Sequence, residues 1–197
     1  MNKRYLFISL IIVVVAIVIL FSMGRIPFCK CGVIAIWSGD VISNQQSQQL
    51  FDPYTFTHII HGIIFYFLLW LLFGKRLSPL QRFALAVGTE SAWEILENTD
   101  YVINRYREAT ISLDYYGDSI FNSFGDIIAM AIGFISAWKL PKKITVGIVI
   151  LIEISLLYFI RDNLTINIIM LIHPVEAIKT WQSGSVPIHF PENCPMC

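Results

Sequence analysis

An uncharged run from Tyr5 to Met23 most constrains how this chain can fold. A helix over this run would be about 28 Å long, enough to cross the hydrocarbon core of a bilayer. The run follows the basic segment MNKR, but it is longer than the apolar region of a secretory signal, and no small-residue cleavage site follows it. We therefore predict an uncleaved first membrane span.

Four further apolar stretches have the length and the flanks of membrane helices. Two of them begin with Asp52-Pro53 and Ser78-Pro79, an N-cap residue followed by the proline that favours the first helical position. The composition agrees, because 56% of the residues are hydrophobic and only 14% are charged. We predict an all-α fold, a polytopic membrane helix bundle that forms one domain over 1–197. Its five transmembrane helices are expected at about 5–23, 53–73, 79–97, 115–138 and 144–160.

The C-terminal part of the chain has no further long apolar run. The apolar run before His173-Pro174 has only about ten residues, which is too few to cross a bilayer. The stretch 164–181 is therefore predicted to be a re-entrant or interfacial segment, with a sixth span through Trp181 as the alternative. In the five-span topology, residues 182–197 form an extracytoplasmic tail.

The positions of the basic residues indicate the orientation of the bundle. Eight of the 14 Lys and Arg residues lie in the N-terminal segment or in and beside two short loops, and no acidic residue lies there. Since cytoplasmic loops are enriched in Lys and Arg, we predict a cytoplasmic N-terminus. The formal net charge is zero and no basic patch is interleaved with aromatics, so nucleic acid is not an expected partner. The expected partner is the lipid bilayer.

Three of the predicted spans carry ionisable or amide side chains at helical spacing. They are His58 and His61 on the second span, Glu90, Glu94 and Glu97 on the third, and Asp118, Asn122 and Asp126 on the fourth. In each set, a spacing of three or four residues puts the side chains on one helix face. The alternating directions of the spans place all three sets in the outer half of the membrane. Because a charged group facing lipid costs at least ~2.5 kcal/mol, we expect these faces to turn toward one another around a polar cavity that opens outward.

Imidazoles and carboxylates in one cavity can bind a divalent metal ion, here zinc, manganese or iron. A metal would lower the pKa of its bound water and supply a hydrolytic nucleophile. Without a metal, a His–Glu pair would serve as general base and acid. We therefore expect an envelope hydrolase or transferase that acts on an amphiphilic, lipid-like substrate. The candidate catalytic residues are Glu90, Glu94, Asp118, Asn122 and Asp126, and the candidate metal ligands are His58, His61, Glu94 and Asp118.

The same polar layer is compatible with two other classes of function. A proton-coupled transporter would use the carboxylates as a relay, but the fourth span continues after Asp126 as IIAMAIGFISAW, without an ionisable group. A non-catalytic membrane partner would use the layer to fix helix packing. Glu153 in the last predicted span is an isolated acid, and its expected partner is either Arg161 or the cavity.

Two arginines lie in the outer loop between the third and fourth spans. Arg105 and Arg107 are candidates for binding a phosphate or carboxylate of the substrate, because guanidinium groups match those anions. Neutralising the carboxylate layer is the alternative role.

Four cysteines form two short motifs. Cys29 and Cys31 make a C-x-C, and Cys194 and Cys197 make a C-x-x-C at the C-terminus. In the five-span topology all four lie outside the cytoplasm, where disulfides persist. We predict disulfide pairing between the two motifs, with a four-thiolate zinc site as the alternative.

Several long stretches resemble a single bacterial protein family. They are GRIPFCKCG, HIIHG, WEILEN, ISLDYYGDSIFNS and IRDNLT, within the range from about Gly24 to Gly184. The family is a multi-pass inner-membrane family of uncharacterised proteins with a domain of unknown function. The resemblance implies a bacterial inner-membrane location but no activity, and the tail SVPIHFPENCPMC departs from the family pattern.

The order of the polar residues is also similar to that of VanZ-like membrane proteins. Those proteins carry a His early in one span, a Glu in the next and a D-x-x-x-N-x-x-G stretch that opens a third. Here His58 or His61, Glu94 and the segment from Asp118 to Gly125 have that order. The similarity implies a cell-envelope or glycopeptide-resistance setting.

Overall fold

The computed structural model describes residues 3–41, 43, 45–110 and 115–184, and the regular structure in these ranges is helical. The eight α-helices of the described ranges are α1 (Arg4–Ser22), α2 (Thr55–Phe73), α3 (Pro79–Glu97), α4 (Asp100–Ala109), α5 (Ile120–Lys139), α6 (Lys142–Ile160), α7 (Leu164–Ile172) and α8 (Glu176–Ser183). A 3-10 turn, Gly74–Arg76, extends α2. The extended pairing within the same ranges is one isolated bridge, between Trp37 and Phe51.

Each of the five stretches predicted to span the membrane forms a long helix. Four segments are long and apolar enough to cross a bilayer, namely Arg4–Ser22, Thr55–Arg76, Ile120–Lys139 and Lys142–Ile160. α3 has the same length as α1, but Arg82 and three glutamates make it too polar to join that group. By length and composition, the described part of the chain therefore contains four candidate membrane spans.

The C-terminal helices are short. α7 has 9 residues and α8 has 8, and the chain leaves helical geometry at His173 between them. At 1.5 Å per residue, the longer one is about 14 Å in length, less than half of a bilayer core. The stretch 164–181 is thus two short helices rather than one continuous helix through Trp181.

Local side-chain hydrogen bonds explain where several helices begin. Ser78 and Gln81 form a reciprocal capping box at the start of α3, as the Ser-Pro signal predicts. α2 begins at Thr55, two residues later than predicted; in the turn before it, Oδ1 of Asp52 accepts from the backbone N–H groups of Tyr54 and Thr55. The predicted start of the fourth span at 115 also differs from the structure, because Ser119 is the N-cap of α5 and the helix begins at Ile120.

α2 and α5 form the closest helix pair in the bundle. A Cβ added to Gly62 would lie 1.9 Å from the carbonyl oxygen of Met130, and one added to Gly133 would lie 2.0 Å from that of Ile59. Glycine at such crossings lets membrane helices approach backbone to backbone. The apolar core beside this crossing includes Met130 and Phe134 of α5 and extends to α3.

The segments outside the long helices form a second layer over one end of the bundle. Tyr106 of α4 contacts Tyr115 edge-to-face, with ring centroids 5.4 Å apart. α7 packs chiefly on α4, where the hydroxyl of Tyr106 donates to Asn167 Oδ1 over 3.1 Å. This layer and the ends of α2, α3 and α5 enclose the polar cluster described next.

Candidate functional site

His58 lies at the centre of a buried cluster to which three helices contribute. Its Nδ1 is 2.5 Å from Oε1 of Glu90 and 3.5 Å from Oε1 of Glu94, both on α3. Its Nε2 is 3.9 Å from Oδ2 of Asp126 on α5. All four side chains are buried, so one imidazole faces three carboxylates inside the protein.

His61 is the more accessible of the two histidines. Its Nδ1 lies 3.2 Å from Oε2 of Glu90, and its ring packs edge-on against His58 with centroids 4.9 Å apart. Trp93 of α3 packs edge-on against the other side of the His61 ring. Glu90 therefore joins both histidines of α2 to α3 through its two oxygens.

Glu94 and Asp126 have buried oxygens without hydrogen bonds. Among the described residues, no hydrogen-bond partner reaches either carboxylate oxygen of Glu94 or Oδ1 of Asp126. Burying a polar group without a partner costs free energy, and buried polar groups in native proteins are almost always satisfied. These three oxygens thus have the capacity to accept a proton, a water molecule or a cation.

Three overlapping groups of side chains have the donor atoms that could hold a metal ion. In each group, one donor atom per residue lies within 4.8 Å of the others; the groups are His58–His61–Glu90, His58–Glu94–Asp126 and Glu94–Glu97–Asp118. Ligand atoms around a tetrahedral zinc ion are about 3.3 Å apart, since the metal–ligand distances are about 2.0–2.1 Å. Small side-chain movements would therefore bring a group to coordination distance. His58 and Glu94 each belong to two groups.

Asp118 is held by hydrogen bonds just before α5. Its Oδ1 accepts from the Tyr115 hydroxyl at 2.9 Å and its Oδ2 from Asn98 Nδ2 at 2.9 Å, while its own N–H donates to Asn98 Oδ1. Burial raises the pKa of Asp118, and the hydrogen bonds from Tyr115 and Asn98 oppose that shift. Asp118 thus lies at the cavity with both oxygens already bonded.

Asn122 is bonded to the loop before α2 and is not among the described residues that line the cavity. Its Nδ2 donates to the backbone oxygen of Gln49 over 2.9 Å, which attaches the loop before α2 to the first turn of α5. The predicted Asp118–Asn122–Asp126 stripe assumed one helix through all three residues. Because α5 starts at Ile120, Asp118 lies outside the helix and the three side chains do not form one stripe.

The two arginines predicted to bind substrate contact backbone carbonyls. Arg105 donates to the carbonyls of Leu171 and Ile172 at the end of α7, and Arg107 donates to the carbonyl of Tyr115. Neither is among the described side chains that line the cavity. In this structure they hold α4 to its neighbours, and a role in substrate binding stays a prediction.

Glu153 has a partner that the sequence did not suggest. Its Oε1 accepts from the N–H of Leu164 at 3.0 Å, and its Oε2 accepts from the Thr165 hydroxyl at 2.5 Å. These are free donors of the first turn of α7, where a carboxylate is favourable. Glu153 therefore caps α7 from α6; these contacts are with neither Arg161 nor the cavity.

The cysteine pairing stays a prediction. Cys29 is buried and Cys31 half-buried, and the N–H of Cys31 points to Cys29 Sγ at 3.3 Å. Cys194 and Cys197 lie outside the described residues.

A cavity of about 470 Å³ adjoins the cluster. Its polar wall includes His58, His61, Glu97, Asp118 and Asp126. Its apolar wall consists of residues from α2, α3 and α7, namely Phe65, Ala92, Trp93, Leu96, Leu164, Ile168 and Leu171. The cavity is thus amphiphilic.

Sequence reasoning missed several polar residues of this cavity. Asp162 and Tyr54 line it together, and the Tyr54 hydroxyl donates to Asp162 Oδ2 at 3.1 Å. Burial raises the pKa of Asp162 from 3.8 to about 6. The motif IRDNLT contains Asp162 and was the only signal for it in the sequence.

Comparisons with known proteins agree on one family. A profile described as "Protein of unknown function (DUF2585)" matches residues 20–184. A UPF0314 protein of Rhizobium etli (strain CIAT 652) is 50% identical over 93% of this chain and 94% of its own length. One of Sinorhizobium fredii (strain NBRC 101917 / NGR234) is 55% identical over 87% of both chains, and one of Paracoccus denitrificans (strain Pd 1222) is 47% identical over 89% of this chain and 91% of its own. No solved structure matches the chain. This protein therefore belongs to the DUF2585 family, whose relatives carry the name UPF0314.

Proposed function

We propose that this protein is a membrane-embedded, metal-dependent hydrolase or transferase whose centre is His58, Glu94 and Asp126. One observation carries the proposal. The carboxylate of Glu94 is fully buried, neither of its oxygens has a hydrogen-bond partner among the described residues, and it lies with Asp126 around His58. A cation coordinated by these residues would satisfy all of the open oxygens.

The charge of the cluster favours a divalent cation over acid–base chemistry alone. The two imidazoles meet at Glu90, so the carboxylates of Glu94 and Asp126 must take up either protons or a cation to be buried at low cost. A divalent ion compensates two negative charges and uses the imidazole and carboxylate donors that zinc, manganese and iron accept.

Glu90 supports this arrangement as a positioning residue. Its bond to Nδ1 of His58 leaves Nε2 directed toward Asp126. Metal-binding histidines usually donate their other ring N–H to a carboxylate, which fixes the tautomer and the ring orientation. We therefore assign Nε2 of His58 as the donor to the metal. His61 shares Glu90 and faces the cavity, where it would transfer protons to or from substrate.

The chemistry of such a centre is hydrolytic or group-transferring. A bound metal supplies an activated water or polarises the bond to be cleaved. The cavity beside it has one polar and one apolar wall, which suits an amphiphilic substrate with its polar part at the histidines.

The membrane topology is part of the proposal. Five spans would include α3, which packs against α1, α2 and α5 and so keeps its glutamates away from lipid. Lys75 and Arg76 follow α2 at the end away from His58, and Lys142 begins α6. These basic residues support a cytoplasmic position for this end of the bundle and so a cytoplasmic N-terminus. The protein would then lie in the bacterial inner membrane with its site in the outer half.

Metal content of the detergent-purified protein tests the proposal. After equilibration with micromolar zinc, manganese or iron and removal of free metal, we expect about one bound equivalent in the wild type. Glu94→Gln and Asp126→Asn keep the side-chain shapes and should lose most of it. Glu153→Gln is the matched control, since it changes a half-buried carboxylate of α6 outside the cluster. A folded wild type that binds none of the three metals contradicts the proposal.

A second candidate function is a non-catalytic helix-packing role. The observation in its favour is that Glu90, His58 and His61 already form a bonded network between α2 and α3. It predicts that Glu94→Gln leaves both metal content and every activity unchanged, and alters stability alone. Transport is less favoured, because α5 continues past Asp126 into the apolar core around Met130 and Phe134.

A further inference from the structure

Most of the apolar wall of the cavity comes from two helices, α3 and α7. On α3, the lining residues Thr89, Ala92 and Leu96 recur every three or four positions, so they form one helix face. On α7, Ile168 and Leu171 are spaced in the same way. α3 packs on α1, α5 and α2, whereas α7 packs chiefly on α4. α3 and α7 therefore make no extensive contact with each other across the space between their lining faces.

The edges of this space are exposed and apolar. Leu96 and Ile168 line the cavity, yet they are 48% and 47% exposed. Leu85, about two turns before Ala92, lies on the same face of α3 and is also exposed. A face that is apolar, exposed and part of a membrane-length helix has lipid as its natural surroundings. The cavity thus opens sideways, in the direction that lipid occupies.

We infer that this cavity holds one acyl chain of a bilayer phospholipid, which enters sideways between α3 and α7 and brings its polar headgroup to His58 and His61. The inference rests on the proposed function, because the headgroup matters at His58 and His61 only if those residues belong to a reactive site. It names phospholipids as the substrate class of that site.

Size and polarity both fit a lipid chain. The volume of about 470 Å³ lies within the range of about 300–1,000 Å³ that small-molecule sites occupy. The apolar wall, with Phe65 and Trp93 deepest toward His61, gives a hydrocarbon chain the same surroundings as the membrane core. A water-soluble substrate would leave this wall unused, whereas a phospholipid uses both walls.

Photolabelling in a membrane tests the inference. The protein is placed in vesicles of phosphatidylethanolamine and phosphatidylglycerol that contain a phosphatidylethanolamine with a diazirine in one acyl chain. After irradiation, labelled residues are mapped by mass spectrometry. We expect label on Phe65, Trp93 and Leu171 in addition to the exposed residues Tyr158 and Phe159 of α6.

Two variants of α3 separate entry into the cavity from ordinary lipid contact. Ala92→Trp places a large ring at the edge of the opening and should reduce the label on Phe65 and Leu171 at least fivefold, while Tyr158 keeps its label. Leu85→Trp adds the same ring on the same face outside the cavity and should change neither. Equal effects of the two variants, or label confined to α6 and other outward faces, would overturn the inference.

The photolabelling result does not depend on metal binding. Label on the cavity residues in Glu94→Gln protein supports the acyl-chain site even when the wild type binds no metal and the proposed function fails. Conversely, a wild type that binds metal but shows no cavity label overturns the acyl-chain site and leaves the metal centre standing.

Discussion

The Nδ1 atom of His58 lies 2.5 Å from Oε1 of Glu90, and this contact joins α2 to α3 inside the buried cluster. Removing one partner leaves the other buried and unpaired, so we expect Glu90→Ala to lower the free energy of unfolding by about 3 kcal/mol. His58→Ala should be similar, and the double variant should lose less than the sum, with a coupling of about 1–3 kcal/mol. Denaturant titration in detergent measures all three. Purely additive losses would show that the pair does not act as a unit.

The close approach of α2 and α5 predicts a large effect from one methyl group. Gly133→Ala would place a Cβ 2.0 Å from the carbonyl oxygen of Ile59, so the helices must separate. We expect a loss of about 1–3 kcal/mol in unfolding free energy. Gly147→Ala on α6 is the control, because nothing lies within 4 Å of its added Cβ and alanine favours a helix by up to about 1 kcal/mol. A wild-type melting temperature for Gly133→Ala would contradict the packing.

Asp162 predicts a pH dependence of stability. Burial raises its pKa from 3.8 to about 6, so the folded protein holds this proton where the unfolded chain has released it. The contribution of this group to the free energy of unfolding is therefore fully present below about pH 4. It is lost as the pH rises through 6, by about 3 kcal/mol in total. Asp162→Asn should remove this part of the pH profile between pH 4 and 7. Tyr54→Phe removes a hydrogen bond that lowers the pKa, so it should move the transition to higher pH.

The cap that Glu153 gives to α7 predicts a local effect on hydrogen exchange. Glu153→Ala frees the amides of Leu164 and Thr165, which the carboxylate now accepts from. Loss of a helix cap costs about 1 kcal/mol, so we expect those amides to exchange roughly fivefold faster. Exchange measured by mass spectrometry on peptides over α7 checks this. Glu176→Ala on α8 serves as the comparison and should leave α7 unchanged.

The sequence was sufficient to predict the long helices and the proximity of their polar side chains. Length and apolarity located every long helix, and the charge of Glu90 and Glu94 on an otherwise apolar chain indicated that α3 faces other helices. His58, Glu90, Glu94 and Asp126 do lie together. Their roles in catalysis or metal binding remain predictions.

The parts that the sequence could not supply depend on local geometry and on distant contacts. The start of α5 is set by Ser119, and a shift of five residues from the predicted start removed Asp118 from the expected stripe. Arg105 donates a hydrogen bond to a carbonyl 66 residues away, and Glu153 of α6 caps the next helix, α7. Nothing in helical periodicity distinguishes an arginine that binds a substrate anion from one that binds the end of another helix.

The polarity of α3 bears on how the protein is assembled in the cell. On the proposed topology, Glu90 and Glu94 must enter the membrane, yet each would oppose partition of an isolated α3 into lipid by about 2.5–3.5 kcal/mol on the gentlest scale. His58 is made before α3, whereas Asp126 is made after it. We therefore expect α3 to stay beside the insertion machinery, paired with α2, until α5 has been synthesised. The three helices would then enter the bilayer together.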